Sequence, residues 1–250
     1  MYQPHQATYR THTFASRLLI VLLTLCSGIV AADGRSPAGW RIGLGLAPVV
    51  SPVFEGADDY GFSIFPDLRF QYRDSFFASV PEGIRYRLIN RPQLKAGPIA
   101  RIRFGRQEDD GGSPFFITGS AAGLNGLGDV DTAIELGGFV SYELAHWRTR
   151  VGLRPGVGGH DGVVGDASLH YTGSARGWRY AFGPRVRFGS SDFVDPYFSI
   201  DAAQSSRSGL ATYQADGGVN SIGFGMNAVV PPGRRTTLVL FGGYDRLLGD

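Results

Sequence analysis

Leu94-Lys-Ala-Gly-Pro-Ile-Ala-Arg-Ile-Arg-Phe104 is the stretch whose reading decides the fold. Leu94, Ala96, Pro98, Ala100, Ile102 and Phe104 share one parity, and Lys95, Gly97, Arg101 and Arg103 share the other, with Ile99 an exception. A period of two is the period of a β-strand, whose successive side chains point to opposite faces. The pattern returns from Trp178 to Phe188, where Trp178, Tyr180, Phe182, Pro184, Val186 and Phe188 oppose Arg179, Arg185 and Arg187. From residue 40 onward the chain repeats this unit, about ten alternating residues and then a turn. Behind an export signal, such a repeat predicts a transmembrane antiparallel β-barrel.

The export signal is read at residues 1–32. A basic stretch ends at Arg17, Leu18 to Leu25 supplies a short apolar core, and Val30-Ala-Ala32 offers small residues at a cleavage site, leaving Asp33 as the expected mature N-terminus. That core is too short to span a bilayer as a helix, which takes about 20 residues. Cys26 follows Leu25 rather than a small residue, which argues against a lipoprotein and leaves residues 33–250, the expected barrel domain, without cysteine. An exported domain without disulfides must take its stability from burial and a closed hydrogen-bond network. Losing Arg10 and Arg17 leaves 22 basic against 22 acidic residues, so no net charge argues for nucleic acid. Mean hydropathy of −0.05 resembles that of a water-soluble protein, as it would for a barrel with one face of its wall toward water.

Connection lengths orient the chain, because periplasmic turns of bacterial barrels are short and outer loops long. Arg73-Asp-Ser75, Ala145-His146, Ser174-Ala-Arg176 and Pro231-Pro-Gly233 are short; 50–61, 106–131 and 189–217 are long. The two sets alternate if strands lie at roughly 40–49, 61–72, 75–80, 83–90, 94–105, 132–144, 147–156, 164–173, 178–188, 218–230 and 235–247. A soluble β-sandwich also alternates. Two features favour the barrel. Trp40, Phe62, Tyr72, Trp147, Tyr171, Trp178, Phe188 and Tyr244 sit near strand ends, as interfacial girdles require. The polar faces carry arginines in mid-strand, where a barrel has a wet lumen. Eleven strands is an odd number, whereas single-chain bacterial barrels close with an even one. With no terminal aromatic after Tyr244-Asp-Arg-Leu-Leu-Gly-Asp250, the expectation is an all-β, up-and-down barrel of about twelve strands that lacks its C-terminal closing strand.

Several segments carry a family resemblance. They are Phe54-Glu55-Gly56-Ala-Asp58-Asp59-Tyr60, Gly97–Arg106, Gly126–Asp131 followed by Glu135–Tyr142, Gly159-His160-Asp161-Gly162, Tyr197-Phe-Ser-Ile200 with Ser208-Gly209 and Tyr213, and Tyr244–Asp250. In this order the chain resembles the MltA-interacting protein (MipA/OmpV) family of outer-membrane proteins across essentially its whole mature length. The resemblance implies an outer-membrane protein that bridges a lytic transglycosylase and a bifunctional penicillin-binding protein, scaffolding murein synthesis. Other members of the family are treated as porin-like or adhesive.

Thirteen arginines fall on predicted inward faces: Arg41, Arg69, Arg73, Arg85, Arg87, Arg101, Arg103, Arg148, Arg150, Arg154, Arg179, Arg185 and Arg187. Inward acids are fewer, namely Asp67, Glu135, Glu143 and Asp166. The guanidinium stays charged and its planar fork matches oxyanions, so one reading is an anion-preferring lumen. The other is a plugged wall in which arginines pair with those acids and with loops folding inward. Loop acids (Glu55, Asp58, Asp59, Glu108, Asp109, Asp110, Asp129, Asp131, Asp192 and Asp195) could hold a divalent ion against lipopolysaccharide phosphates, or simply be solvated; none shows EF-hand spacing. His160-Asp161 is the one adjacent His–acid pair, but no Ser sits in a nucleophile-elbow context, and its flanking glycines suit a tight loop with φ > 0. The expectation is therefore no catalysis, no metal and no cofactor. Partners would be outer-membrane lipid and lipopolysaccharide, with murein enzymes by resemblance. Short periplasmic turns offer such enzymes little beyond Arg91-Pro92, His146, Arg176 and Arg234-Arg235.

Overall fold

A computed structural model describes residues 26–29 and 39–249, apart from 110, 232, 234 and 235. Its strands, in chain order, are β1 (Cys26–Ile29), β2 (Trp40–Pro52), β3 (Tyr60–Tyr72), β4 (Phe76–Ser79), β5 (Gly83–Tyr86), β6 (Ile89–Asn90), β7 (Leu94–Arg103), β8 (Phe116–Thr118), β9 (Ala133–Leu144), β10 (Trp147–Gly158), β11 (Val163–Ala175), β12 (Trp178–Gly189), β13 (Gly218–Val230) and β14 (Thr236–Leu247). Two short helices, α1 (Ser191–Phe198) and α2 (Ala202–Ser208), lie between β12 and β13. Among the described residues eleven strands form the wall, each antiparallel to the next from β2 through β3, β4, β5, β7 and β9 to β14. β6 adds to β7 and β8 to β3. The expected strands are thus found in place, and the sheet curls into an incomplete up-and-down barrel.

β1 occupies the seam. Cys26–Ile29 pairs with Thr236–Val239 of β14 and reaches β2 at Ile29–Leu44. These four residues belong to the expected leader, whose remainder lies outside the described residues.

Alternation produces an inverted burial pattern. Along β9, Ala133, Glu135, Phe139 and Ser141 are buried while Ile134, Leu136, Val140, Tyr142 and Leu144 are exposed. Ser63, Asp67, Ser79, Arg154 and Ser221 are buried too, whereas Leu44, Leu46, Ile102, Leu153 and Phe224 are not. In water this arrangement would leave a large apolar patch unburied, which a monomeric soluble protein rarely tolerates. Ile99, the apolar intruder on a polar face, is buried. Trp40, Tyr72, Phe76, Trp147, Tyr171 and Trp178 gather at the short-turn ends of their strands, with Trp40–Tyr72 and Trp147–Tyr171 ring centroids 5.0 and 5.4 Å apart. The short turns themselves are tight: Arg73, Ala145 and Arg176 adopt positive φ, and Arg176-Gly177 does so at both positions, the pattern of a type I′ hairpin whose twist matches its strands.

The wall is uneven. β4 and β5 are only four residues each, so it is low between β3 and β7. The long second loop fills this notch: Phe115 packs between Phe65 (4.9 Å) and Phe104 (5.5 Å), and β8 pairs with the start of β3 at Phe62–Thr118.

Candidate functional site: the lumen and its loop-side cap

Polar faces that meet inside the curl build two ion-pair networks. In the first, Glu135 of β9 sits at the centre and is 1% exposed. It accepts from Arg103 Nε at 2.6 Å and from Arg154 Nε at 3.0 Å, and Arg154 Nη1 donates onward to Asp166 at 2.5 Å. Gly152, two residues earlier on β10 and opposite Asp166, leaves Arg154 room to reach both carboxylates: a side chain there would meet its guanidinium and Asp166. In the second, Arg185 makes a two-pronged contact with Asp245, Nε at 2.7 Å and Nη2 at 2.6 Å. Arg187 shares that carboxylate at 2.7 Å and holds Glu55 of the first loop at 2.9 Å. Arg185, Gly223 and Asp245 form one lateral row across β12, β13 and β14, so the guanidinium crosses over a residue with no side chain. Smaller pairs join Arg69 to Asp67, Arg85 to Glu82, and Lys95 and Arg148 to Glu143.

The predicted arginines therefore divide. Arg85, Arg103, Arg148, Arg154, Arg185 and Arg187 have carboxylate partners. Among the described residues Arg101 reaches the Glu82 backbone carbonyl, at 3.4 Å, and Arg150 lies over the Phe139 ring, 5.4 Å from its centroid. Arg87 falls in the break between β5 and β6 and donates to the Asp74 carbonyl. Arg41 pairs with Asp74 where both are well exposed, Arg73 is a turn residue and Arg179 is exposed at the start of its strand. Asp245, Glu82 and the inward bend of Glu55 were not foreseen. β14 carries the unbroken apolar run Leu238-Val-Leu-Phe241, which hides its parity and hence the inward aim of Asp245.

The long loops close over the first network. α1 buries Phe193 and Val194 against Val164 and Ala215. Phe193 also takes the Arg103 guanidinium on its face at 4.8 Å and the His160 ring edge-on at 5.0 Å. Arg106 donates to the Tyr197 carbonyl at 2.8 Å, and Gln204 to that of Leu127 at 2.7 Å, tying the third long loop to the second. Glu108 folds inside its own loop, accepting from Gly126 and Gly128 N–H, while Asp129 accepts from the Glu108 N–H. Those acids are occupied by backbone, and no metal-holding group of three or more His, Cys, Asp or Glu exists among the described residues. A cleft of about 290 Å³ at this end is bordered by Arg106, Asp129, Asp131 and Gln204.

The Gly159-His160-Asp161-Gly162 segment is a packing device. His160 turns inward, 3% exposed, into the space left by Gly156, whereas Asp161 is exposed. The reading of its glycines as positive-φ residues is corrected. Gly158 adopts φ +107°. Gly159 and Gly162 are small because the Asp131 backbone and the start of α1 approach where side chains would stand. In the first loop, Gly56 does take positive φ (+96°), beside Leu247, while Asp58, Asp59 and Tyr60 are exposed.

His160 Nε2 lies 3.5 Å from Glu135, too long for a well-formed hydrogen bond. Burial pushes the imidazole below the ordinary histidine value; Glu135 pulls the other way and Arg103 reinforces burial. A neutral buried imidazole contributes its full stability above about pH 6.5, the unfolded value, and loses it as pH falls through the lowered one. Residues 189–199 should therefore become more protease-sensitive between pH 7.5 and 5, and His160→Gln should flatten the response. Equal protection of the wild type at both pH values would refute this.

A family model for MltA-interacting protein MipA matches residues 44–250. The chain belongs to that family. The MipA match begins within β2 and takes in the rest of the wall, both ion-pair networks and the three long loops. No curated protein and no solved structure matches the chain. No helix among the described residues is long and apolar enough to cross a membrane, a statement about helices alone.

Proposed function

We propose that this MipA-family chain is an outer-membrane barrel, exported by cleavage of residues 1–32, that acts as a non-conducting interaction protein of the murein-synthesising machinery. The obstruction of the loop end supports this reading: two ion-pair networks line the inner wall over β7–β11 and β12–β14, Glu55 of the first loop bends in to Arg187, and α1 seats Phe193 on Arg103 and His160. The exposed apolar face supports lipid as its surroundings, with short turns toward the periplasm and long loops outward. The family's name supports a lytic transglycosylase of the MltA type as one partner, and a bifunctional penicillin-binding protein is the second. Their contact surface would be the short-turn rim, where Arg91, Pro92, His146 and Arg176 stand beside the tryptophan belt.

The competing reading is an anion-preferring channel, favoured by Arg101 and Arg150, which lack carboxylate partners among the described residues. Planar-bilayer recording of the full-length protein separates the two. Silence at high protein load is the expected result, together with co-purification of murein synthases and hydrolases. Stepwise current with an anion-selective reversal potential would replace this reading with the channel.

A further inference from the structure

Most of the inward arginines are matched by carboxylates. Arg103 and Arg154 face Glu135 and Asp166, Arg185 and Arg187 face Asp245 and Glu55, and Arg69 faces Asp67. Around Arg150 the balance fails. The charges that act on it most strongly are Arg85 and Arg101, followed by Asp166 and Glu82. Glu82 is committed to Arg85 at 2.7 Å and Asp166 to Arg154 at 2.5 Å. Arg101 donates to a backbone carbonyl and has no carboxylate partner among the described residues. Arg150 Nε is buried with no hydrogen-bond partner among the described residues, and its guanidinium carbon lies over the Phe139 ring, 5.4 Å from the centroid. Among the described residues, Arg85, Arg101 and Arg150 thus have one carboxylate between them, Glu82, and Arg85 already holds it.

Burying a guanidinium donor without an acceptor is unfavourable, and the like charges acting on Arg150 add to that cost. An arrangement of this kind needs a counter-ion. The forks suit one chemistry, since guanidinium groups bind phosphate-type oxyanions through paired, charge-assisted hydrogen bonds. Arg150 rests over Phe139, and Gly83, where a side chain would strike the Arg101 stem, lets that arginine lie across the top of the β4–β5 hairpin. Exposure shows the direction of approach. Arg148, two residues closer to the Ala145-His146 turn on the same face, has a side chain 46% exposed, whereas Glu135, Arg154 and His160 on the loop side are 1–3% exposed.

We infer that Arg85, Arg101 and Arg150 form an oxyanion site inside the lumen, open toward the short-turn end and closed from the loop end, which takes a phosphate-type ligand. The inference rests on the reading of the polar faces as a lumen, and it does not require conduction. Refolded full-length protein in detergent micelles, titrated calorimetrically with inorganic phosphate at low chloride, should show saturable binding. Arg150→Gln should weaken that binding at least tenfold, and Arg41→Gln, on the exposed Asp74 pair, should leave it unchanged. Urea unfolding guards against a variant that merely misfolds. Phosphate should raise the midpoint of the wild type, while Arg150→Met should unfold at a higher midpoint than the wild type without phosphate and gain little when it is added. Binding by Arg150→Gln equal to the wild type, or no saturable binding by a folded wild type, would overturn the site. Current recorded from the same preparations tests the closed-lumen reading separately, because a channel could bind or ignore phosphate, and a silent barrel likewise.

Discussion

Glu135→Ala should destabilise the barrel by about 3–5 kcal/mol, the range for removing one partner of a buried ion pair. The cost does not come from losing a favourable pair, since a well-packed apolar replacement of the whole network could be neutral. It comes from stranding Arg103 and Arg154 in a place where Glu135 is 1% and Arg154 2% exposed. The same change would free His160 and the Arg103 guanidinium that Phe193 covers, so the α1 cap should loosen with it. Urea midpoints of the refolded protein in lipid vesicles would report the effect. Glu135→Leu combined with Arg154→Met should recover part of the loss, because one stranded charge is then gone. A loss under about 1 kcal/mol for Glu135→Ala would mean that water reaches the network and screens it, as at an exposed pair.

Leu153→Arg is the second large effect, expected at about 2–4 kcal/mol, the cost of a cation on the lipid face near the bilayer midplane. Leu153 lies in the middle of β10 and is 49% exposed. Thr149, on the same outward face but nearer the Ala145-His146 turn, should tolerate arginine at a cost of about 0–1 kcal/mol, because the penalty falls with depth. This gradient separates lipid from water, since an exposed leucine in water would accept arginine within about 0.5 kcal/mol wherever it stood. Equal, small costs at both positions in vesicles would sink the membrane reading of the outer face.

The wall was legible because its signal is local. Side-chain parity needs only adjacent residues, so Leu94–Phe104 and Trp178–Phe188 announce their faces, and even Ile99 stands out as the exception it proves to be, buried at 3%. Where parity is erased, as along Leu238–Phe241, the inward aspartate at 245 is lost with it. The loop helices escaped a reading tuned to period two, although α2 carries a readable capping box, Asp201 with Gln204, and a left-handed Gly209 at its end. The glycines of the Gly159–Gly162 segment were read as turn formers. Their constraint is instead the close approach of Asp131 and α1, segments about thirty residues to either side, which no local rule could supply.

By itself the sequence determined an all-β up-and-down wall, which face is apolar and which carries arginine, and membership of the family that the matching segments resemble. Each of these depends on residues one or two places apart, or on motifs kept in order. Tertiary structure alone decided which arginines are neutralised. Arg187 meets Glu55 across 132 residues, and Arg185 meets Asp245 only because Gly223 lies between them in the register. Pairing energy depends on distance and desolvation, and strand register and loop closure set both. Alternation therefore placed arginines inside, and the fold separated those neutralised by carboxylates from Arg101 and Arg150, the two left without a carboxylate among the described residues.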